Sequence, residues 1–190
     1  MARWEPDPRG RLERAALELF ASRGYEATTV DEIAAAAGLA RSTFFRHFND
    51  KREVLFGGQD GLAARFAESI ANAPPQQTAL EAIERAFDDV AEIWFTAERR
   101  DLAPRRIAVI ARNPDLAERD LLKRRGLTEA VAAALRARGI DEPSATVAAE
   151  LATLTFSQTV VEWAEQNADE FAEIARRSLR RLRNAAAKLA

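Results

Sequence analysis

One short stretch of the chain concentrates side chains suited to nucleic acid. Arg41, Ser42, Thr43, Arg46, His47 and Lys51 lie close together in sequence. Arginine can make paired hydrogen bonds to guanine O6 and N7. Serine and threonine reach bases or phosphates, and His47 and Lys51 suit phosphate contacts. Phe44 and Phe48, four apart, supply a buried pair for a helix over Arg41–Phe48. The spacing leaves Arg41, Ser42, Thr43, Phe45, Arg46 and His47 facing outward.

A second helix should precede this one and hold it. Thr28 and Thr29 are adjacent N-cap candidates, and Thr29 with Glu32 makes a capping box. Val30, Ile33, Ala34 and Ala37 then repeat at helical spacing. Gly38 ends that helix, and Leu39 points back inward. Helix, glycine turn and helix with a polar-basic outer face is the helix-turn-helix pattern. A pair of core helices with a solvated face would show the same short pattern. Upstream, Asp7-Pro8 starts a first helix whose stripe is Leu12, Ala15, Ala16, Leu19 and Phe20, ending near Gly24.

These residues together resemble the TetR family of bacterial transcriptional repressors. The resemblance rests on Ala15, Ala16, Leu19, Phe20, Gly24-Tyr25, Thr28-Thr29-Val30, Ile33-Ala34, Ala37-Gly38-Leu39, Thr43-Phe44-Phe45, His47-Phe48 and Lys51-Arg52-Glu53. It implies an all-α fold, with a three-helix DNA-binding domain over 1–53 and a helical effector-binding and dimerisation domain over 54–190, about nine helices in all. It implies that Arg41, Ser42, Thr43 and Arg46 reach base edges. Thr28 or Thr29, Phe45, His47 and Lys51 would then lie on or near the phosphates. Two positions depart from the family. Phe45 stands where tyrosine is usual, so no hydroxyl can reach a phosphate there. Ala40 stands where a capping serine is usual, a loss of about 1 kcal/mol for the recognition helix.

Composition narrows the alternatives. The chain has 190 residues, 31% charged and 47% hydrophobic, with a formal net charge of −2. Bulk charge therefore does not advertise a polyanionic partner, and basic and acidic residues balance over Met1–Gly57. The basic bias is local to Arg41–Arg52. Absence of cysteine excludes disulfides and thiolate chemistry, and a single histidine excludes a multi-histidine metal site. No metal or cofactor is expected. Met1–Gly10 has no apolar core, so it does not read as a signal peptide. The apolar run Leu151–Val161 is too short to span a bilayer. The expectation is a cytoplasmic protein without membrane contact.

The rest of the chain reads as helices with no period-two segment. Expected helices run Asp50 to about Asn72, Gln77–Glu98, Pro104–Arg112, Asn113–Arg138, Ser144–Asn167 and, capped by Asp169, to the C-terminus. Gly57, Gly58 and Gly61 cluster in the first of these, as a pliable joint or as a packing contact. Val147, Leu151, Leu154 and Val161 line one side of the penultimate helix; Phe156, Val160 and Trp163 line another. A helix apolar on two sides needs two partners. Phe171, Ala175, Ser178, Leu182, Ala185 and Leu189 form a four-three seam on the last helix. The resemblance implies a homodimer built on these two helices. Either face could instead be intrachain core. Arg176, Arg177, Arg180, Arg181, Arg183 and Lys188 read as the solvated face of the last helix.

The resemblance also implies a pocket for a small hydrophobic or amphipathic effector that releases operator DNA. Candidates are Phe87, Trp94, Phe95, Phe156, Thr159 and Trp163, which would equally serve as core. The C-terminal region resembles, weakly, an actinobacterial branch that includes mycofactocin-associated regulators. Acyl-CoA-type ligands within that branch would suit Arg105 or Arg106 as a partner for an anionic group. Two rival functions remain. His47, Asp50 and Ser42 can be written as a catalytic set, although on an exposed helix. A helical interaction protein that has lost DNA binding would account for Phe45 and Ala40.

Overall fold

The computed structural model describes residues 7–56, 61–165 and 170–189. Among these the chain is all-α, with no strand. The helices are α1 (Pro8–Arg23), α2 (Val30–Ala36), α3 (Arg41–His47), α4 (Glu53–Phe56), α5 (Leu62–Ala71), α6 (Ala79–Trp94), α7 (Ala97–Arg100), α8 (Ala103–Arg112), α9 (Pro114–Ala137), α10 (Glu142–Glu165) and α11 (Phe171–Ala186). Two of them, α4 and α7, are single turns of four residues, which accounts for the excess over the expected nine.

The chain divides into two compact units. The first runs to the end of α4 and also takes in Arg105–Glu118. Asp7 caps α1, accepting from the Gly10 N–H at 2.8 Å. Leu12, Ala16, Leu17 and Phe20 of α1 are buried with Ile33, Phe44, Phe48 and Val54. These positions recur at helical spacing, so α1 lays one apolar face on α2, α3 and α4. The helix expected from Asp50 begins instead at Glu53. Asp50 is its cap, accepting from the Glu53 N–H at 2.9 Å. Burial pushes the Asp50 carboxyl up, but hydrogen bonds from Arg52 and the Glu53 N–H outweigh it and hold the carboxyl below its ordinary value.

The second unit holds α5, α6, α7, most of α9, α10 and α11. Antiphase caps position its helices. Thr78 and Glu81 close a capping box on α6. Asp141 accepts from the Ser144 N–H at 3.1 Å, so α10 starts at Glu142 and Pro143 lies inside its first turn rather than in a spacer. The guanidinium of Arg138 donates to the carbonyls of Ile70, Ala73, Pro74 and Gln77, satisfying the end of α5 and the turn after it. Phe66, Ile70, Ile83, Phe87, Ala149, Ala152 and Ile174 lie in the core. Gly61 is a packing contact: a Cβ there would lie 3.2 Å from Trp94 Cζ2. Gly57, Gly58 and Asp169, named above for a joint and a cap, lie outside the described residues.

Candidate DNA-binding interface and effector site

The first unit builds the helix-turn-helix from local hydrogen bonds. The Glu32 N–H donates to Thr29 Oγ1 at 3.3 Å, and the Thr29 N–H donates to Glu32 Oε2 at 2.9 Å. Those bonds from Thr29 hold the Glu32 carboxyl below its ordinary range. Gly38 takes φ +64°, and the Leu39 N–H turns back to the Ala34 carbonyl at 2.9 Å. Arg11 Nη2 donates to the Ala37 carbonyl at 2.6 Å and so ties the turn to α1. The Arg11 guanidinium is thereby engaged on a backbone carbonyl of the turn. Ala40 caps α3 without a side-chain hydrogen bond, as its residue type dictates.

On α3, Phe44 and Phe48 are buried, with ring centroids 5.4 Å apart. The opposite face carries Arg41, Ser42, Phe45 and Arg46, all exposed, with His47 half-exposed. Arg41 pairs with Asp31 at 2.8 Å, and both side chains are more than 60% exposed. An ion pair so open to water holds little free energy, so Arg41 is free to exchange Asp31 for a base edge. The Phe45 ring lies 5.5 Å under the Arg41 guanidinium, and Phe45 is 45% exposed.

Three expected contact residues sit differently. Thr43 is 8% exposed, with its hydroxyl accepting from Arg46 Nη2 at 3.1 Å, so it does not face outward. Thr43 and Phe44 are the two buried residues of this seven-residue helix, so Thr43 stands at the edge of its buried face. Thr28 is 1% exposed and donates to the Gly24 carbonyl at 2.8 Å, whereas Thr29 is exposed. Lys51 Nζ donates to the Tyr25 and Thr28 carbonyls at 2.6 and 3.0 Å and lies 4.1 Å from the Tyr25 ring centroid. Its charge is spent on holding the segment that leads into α2.

Arg106 belongs to the first unit. It donates to Glu13 at 3.4 Å, and Glu13, buried at 5% exposure, also pairs with Arg9. Arg105 faces Glu18 at 3.9 Å. Of Arg105 and Arg106, either of which was expected to meet an anionic group, Arg106 is engaged by Glu13, whose burial unpaired would be costly. Arg105 makes only an open, exposed pair.

In the second unit, Phe87, Phe95, Phe156 and Trp163 fall into one aromatic cluster. Phe66 stands edge-on to Phe87 and Phe156, and Phe171 stacks on Phe95 with centroids 3.5 Å apart. Phe66 and Phe171 were not among the expected pocket residues. Trp94 is half-buried beside Gly61, and Thr159 is fully buried. Two clefts adjoin the cluster. One, of about 240 Å³, is lined by Leu62, Ala63, Leu127 and Phe156 with Lys123 and Arg124. The other, of about 510 Å³, is lined by Phe95 and Phe171 with Asp88, Glu92 and Glu170.

The expected dimer residues divide in two. Leu154, Val161, Ala185 and Leu189 are exposed, and Leu151 and Leu182 are half-buried. Val147, Leu154 and Val161 repeat every seven residues along α10 and remain uncovered within the chain. Phe171, Ala175 and Ser178 are at most 1% exposed and cannot form an outer seam. They are taken up where α11 packs on α10 and α6.

A family model described as bacterial regulatory proteins, tetR family, matches residues 13–57. That span covers most of α1 and the whole helix-turn-helix. Over that span the chain carries a TetR-family DNA-binding segment. TcmR of Streptomyces glaucescens, an HTH-type transcriptional regulator, is 40% identical over 79 residues, 42% of this chain and 35% of that one. MftR of Mycobacterium tuberculosis, named as a mycofactocin biosynthesis transcriptional regulator, is 30% identical over 124 residues, 64% of this chain and 60% of that one. A TetR-family regulator from Syntrophomonas wolfei shares the fold, with a TM-score of 0.63 at 18% identity over 95% of each chain. The chain spans about a third of the length of TcmR and three fifths of that of MftR. These relatives are named as regulators, not enzymes, which removes the catalytic reading of His47, Asp50 and Ser42. Among the described residues, no helix is long and apolar enough to cross a membrane.

Proposed function

We propose that this chain is a cytoplasmic TetR-family transcriptional regulator that binds a roughly palindromic operator as half of a two-fold dimer. The observation that carries this reading is the division of α3. Phe44 and Phe48 anchor one face, while Arg41, Ser42, Phe45 and Arg46 stand outward on the other. A helix held that way presents donors to base edges in the major groove, and two-fold pairing sets the half-site spacing. Thr29, at the exposed start of α2, and His47 lie beside that face and suit phosphates. Phe45 offers apolar contact to a thymine methyl.

The dimer forms through the uncovered stripe Val147, Leu154 and Val161 of α10, with Leu151, Leu182, Ala185 and Leu189 around it. A small hydrophobic or amphipathic effector occupies the second unit. It favours a separation of the two recognition helices that no longer matches the groove repeat. The test is a gel shift with DNA from upstream of the coding sequence, comparing wild type with Arg41→Ala. The variant should lose about 1–3 kcal/mol of operator affinity and discriminate less among bases at one position. A wild-type chain that shifts no duplex at low salt would favour a helical interaction protein instead.

A further inference from the structure

Two polar atoms of α10 are buried without a hydrogen-bond partner. Thr159 is 0% exposed and Trp163 is 2% exposed, and neither Thr159 Oγ1 nor Trp163 Nε1 is paired. Thr155, one turn earlier and equally buried, shows how α10 ordinarily satisfies such a hydroxyl: it donates to the Leu151 carbonyl at 2.7 Å. A buried donor left unpaired is destabilising, and folded proteins hold few of them. Thr159 and Trp163 are four residues apart on one helix, so their side chains share a face.

Their surroundings are aromatic. The Trp163 ring meets Phe95 edge-on at 5.2 Å and Phe171 at 6.0 Å. Phe95 and Phe171 also line the larger cleft, whose rim carries Asp88, Glu92 and Glu170. Both rings sit at helix ends, Phe95 as the C-cap of α6 and Phe171 as the first residue of α11. Thr159 and Trp163 do not line that cleft themselves. The Phe95 and Phe171 rings, which touch Trp163, stand between it and the cleft, and a ligand from there would have to part their stack.

We propose that Thr159 and Trp163 are the polar end of the effector site, and that the effector is a flat, neutral aromatic compound bearing a carbonyl. This rests on reading the second unit as an effector domain. Indole N–H is a donor only, and a hydroxyl can donate as well; a carbonyl oxygen has two lone pairs and accepts from both. An ammonium has no acceptor and cannot satisfy the indole N–H. A carboxylate would pass the carboxylates of Asp88, Glu92 and Glu170, and Arg176, the partner of Asp88, is engaged by that ion pair. Arg100 lies over the face of the Trp163 ring, 5.1 Å from its centroid, not at the Nε1 edge.

The experiment uses the full chain and three probes of one shape: 2-acetylnaphthalene, 2-ethylnaphthalene and 2-naphthoate. Binding is read by calorimetry and by thermal shift, neither of which involves DNA. Failure to bind an operator would therefore sink the regulator reading without touching this one. The ketone should bind about tenfold tighter than either analogue, as two added hydrogen bonds allow. Thr159→Val should raise the melting midpoint of the unliganded protein by about 2–4 °C. It should weaken the ketone about fivefold and leave 2-ethylnaphthalene unchanged. Trp163→Phe, which keeps a ring and removes the N–H, should weaken the ketone similarly. A lowered midpoint in Thr159→Val with unchanged ketone binding would show that the hydroxyl is part of the packed core. Tighter naphthoate, equal binding of ketone and hydrocarbon, or no binding of any probe would also overturn the proposal.

Discussion

The two units leave their unused polar capacity in opposite places. In the first, cations are turned inward onto backbone carbonyls: Arg11 on Ala37, Lys51 on Tyr25 and Thr28. That work fixes α2 and α3 and leaves the outer face of α3 with exposed side chains, Arg41 held only by its open pair with Asp31. In the second, Arg138 does the same for the end of α5, but α10 holds two uncommitted donors inside, Thr159 Oγ1 and Trp163 Nε1. Open donors on the outside suit a macromolecule with a grooved surface. Open donors among buried rings suit a small molecule. The difference supports the partners proposed for the two halves without recourse to net charge, which is close to neutral.

The comparison breaks most visibly at the stripe on α10. Leu154→Glu with Val161→Glu puts two charges on the uncovered apolar face and should leave a folded monomer by sedimentation equilibrium. Operator affinity should fall on the order of a hundredfold, the avidity lost when two linked half-sites become one. An unchanged dimer would move the interface elsewhere.

A smaller effect separates support from contact in the first unit. Lys51→Met removes the donor to Tyr25 and Thr28 and should cost about 1–3 kcal/mol in urea unfolding. The salt dependence of DNA binding by the folded fraction should be unchanged. If the slope of log affinity against log salt falls by about one instead, Lys51 contacts a phosphate.

The smallest effect is a pH dependence. Glu32 has a lowered carboxyl in the folded state because Thr29 donates to it. Its stabilisation is therefore full above its ordinary value of 4.5 and is lost as pH falls below that toward the folded value. Glu32→Gln should show a shallower loss of stability over that acid range. Parallel curves for variant and wild type would show that the capping box does not titrate with folding.

Much of this was legible in the residues. Asp7-Pro8, Thr29 with Glu32, Gly38, and Phe44 with Phe48 are local signals, each read within one turn of helix. The structure places each where local chemistry puts it. What was not legible depended on distant partners. Nothing near Lys51 in sequence announces the carbonyls of Tyr25 and Thr28, and nothing near Arg106 announces Glu13. The four-three spacing of Phe171, Ala175 and Ser178 is the same whether a seam meets its own chain or a copy. Only the packing of α11 on α6 and α10 decides it. Thr43 was misread because periodicity on seven residues leaves the edge of the buried face undefined. Phe171, absent from the expected pocket, stacks on Phe95 from a helix that starts well beyond it in the chain.

The central claim is that the outer face of α3 reads a two-fold operator. Selection of bound duplexes from a random pool by the full chain, at two salt concentrations, tests it most directly. The account predicts enrichment of an inverted repeat, with half-sites about one helical turn or a multiple apart, centre to centre. It also predicts that Arg41→Ala relaxes the preference at one position in each half-site. Enrichment of no sequence, or of a single unrepeated site unaffected by Arg41, would contradict it.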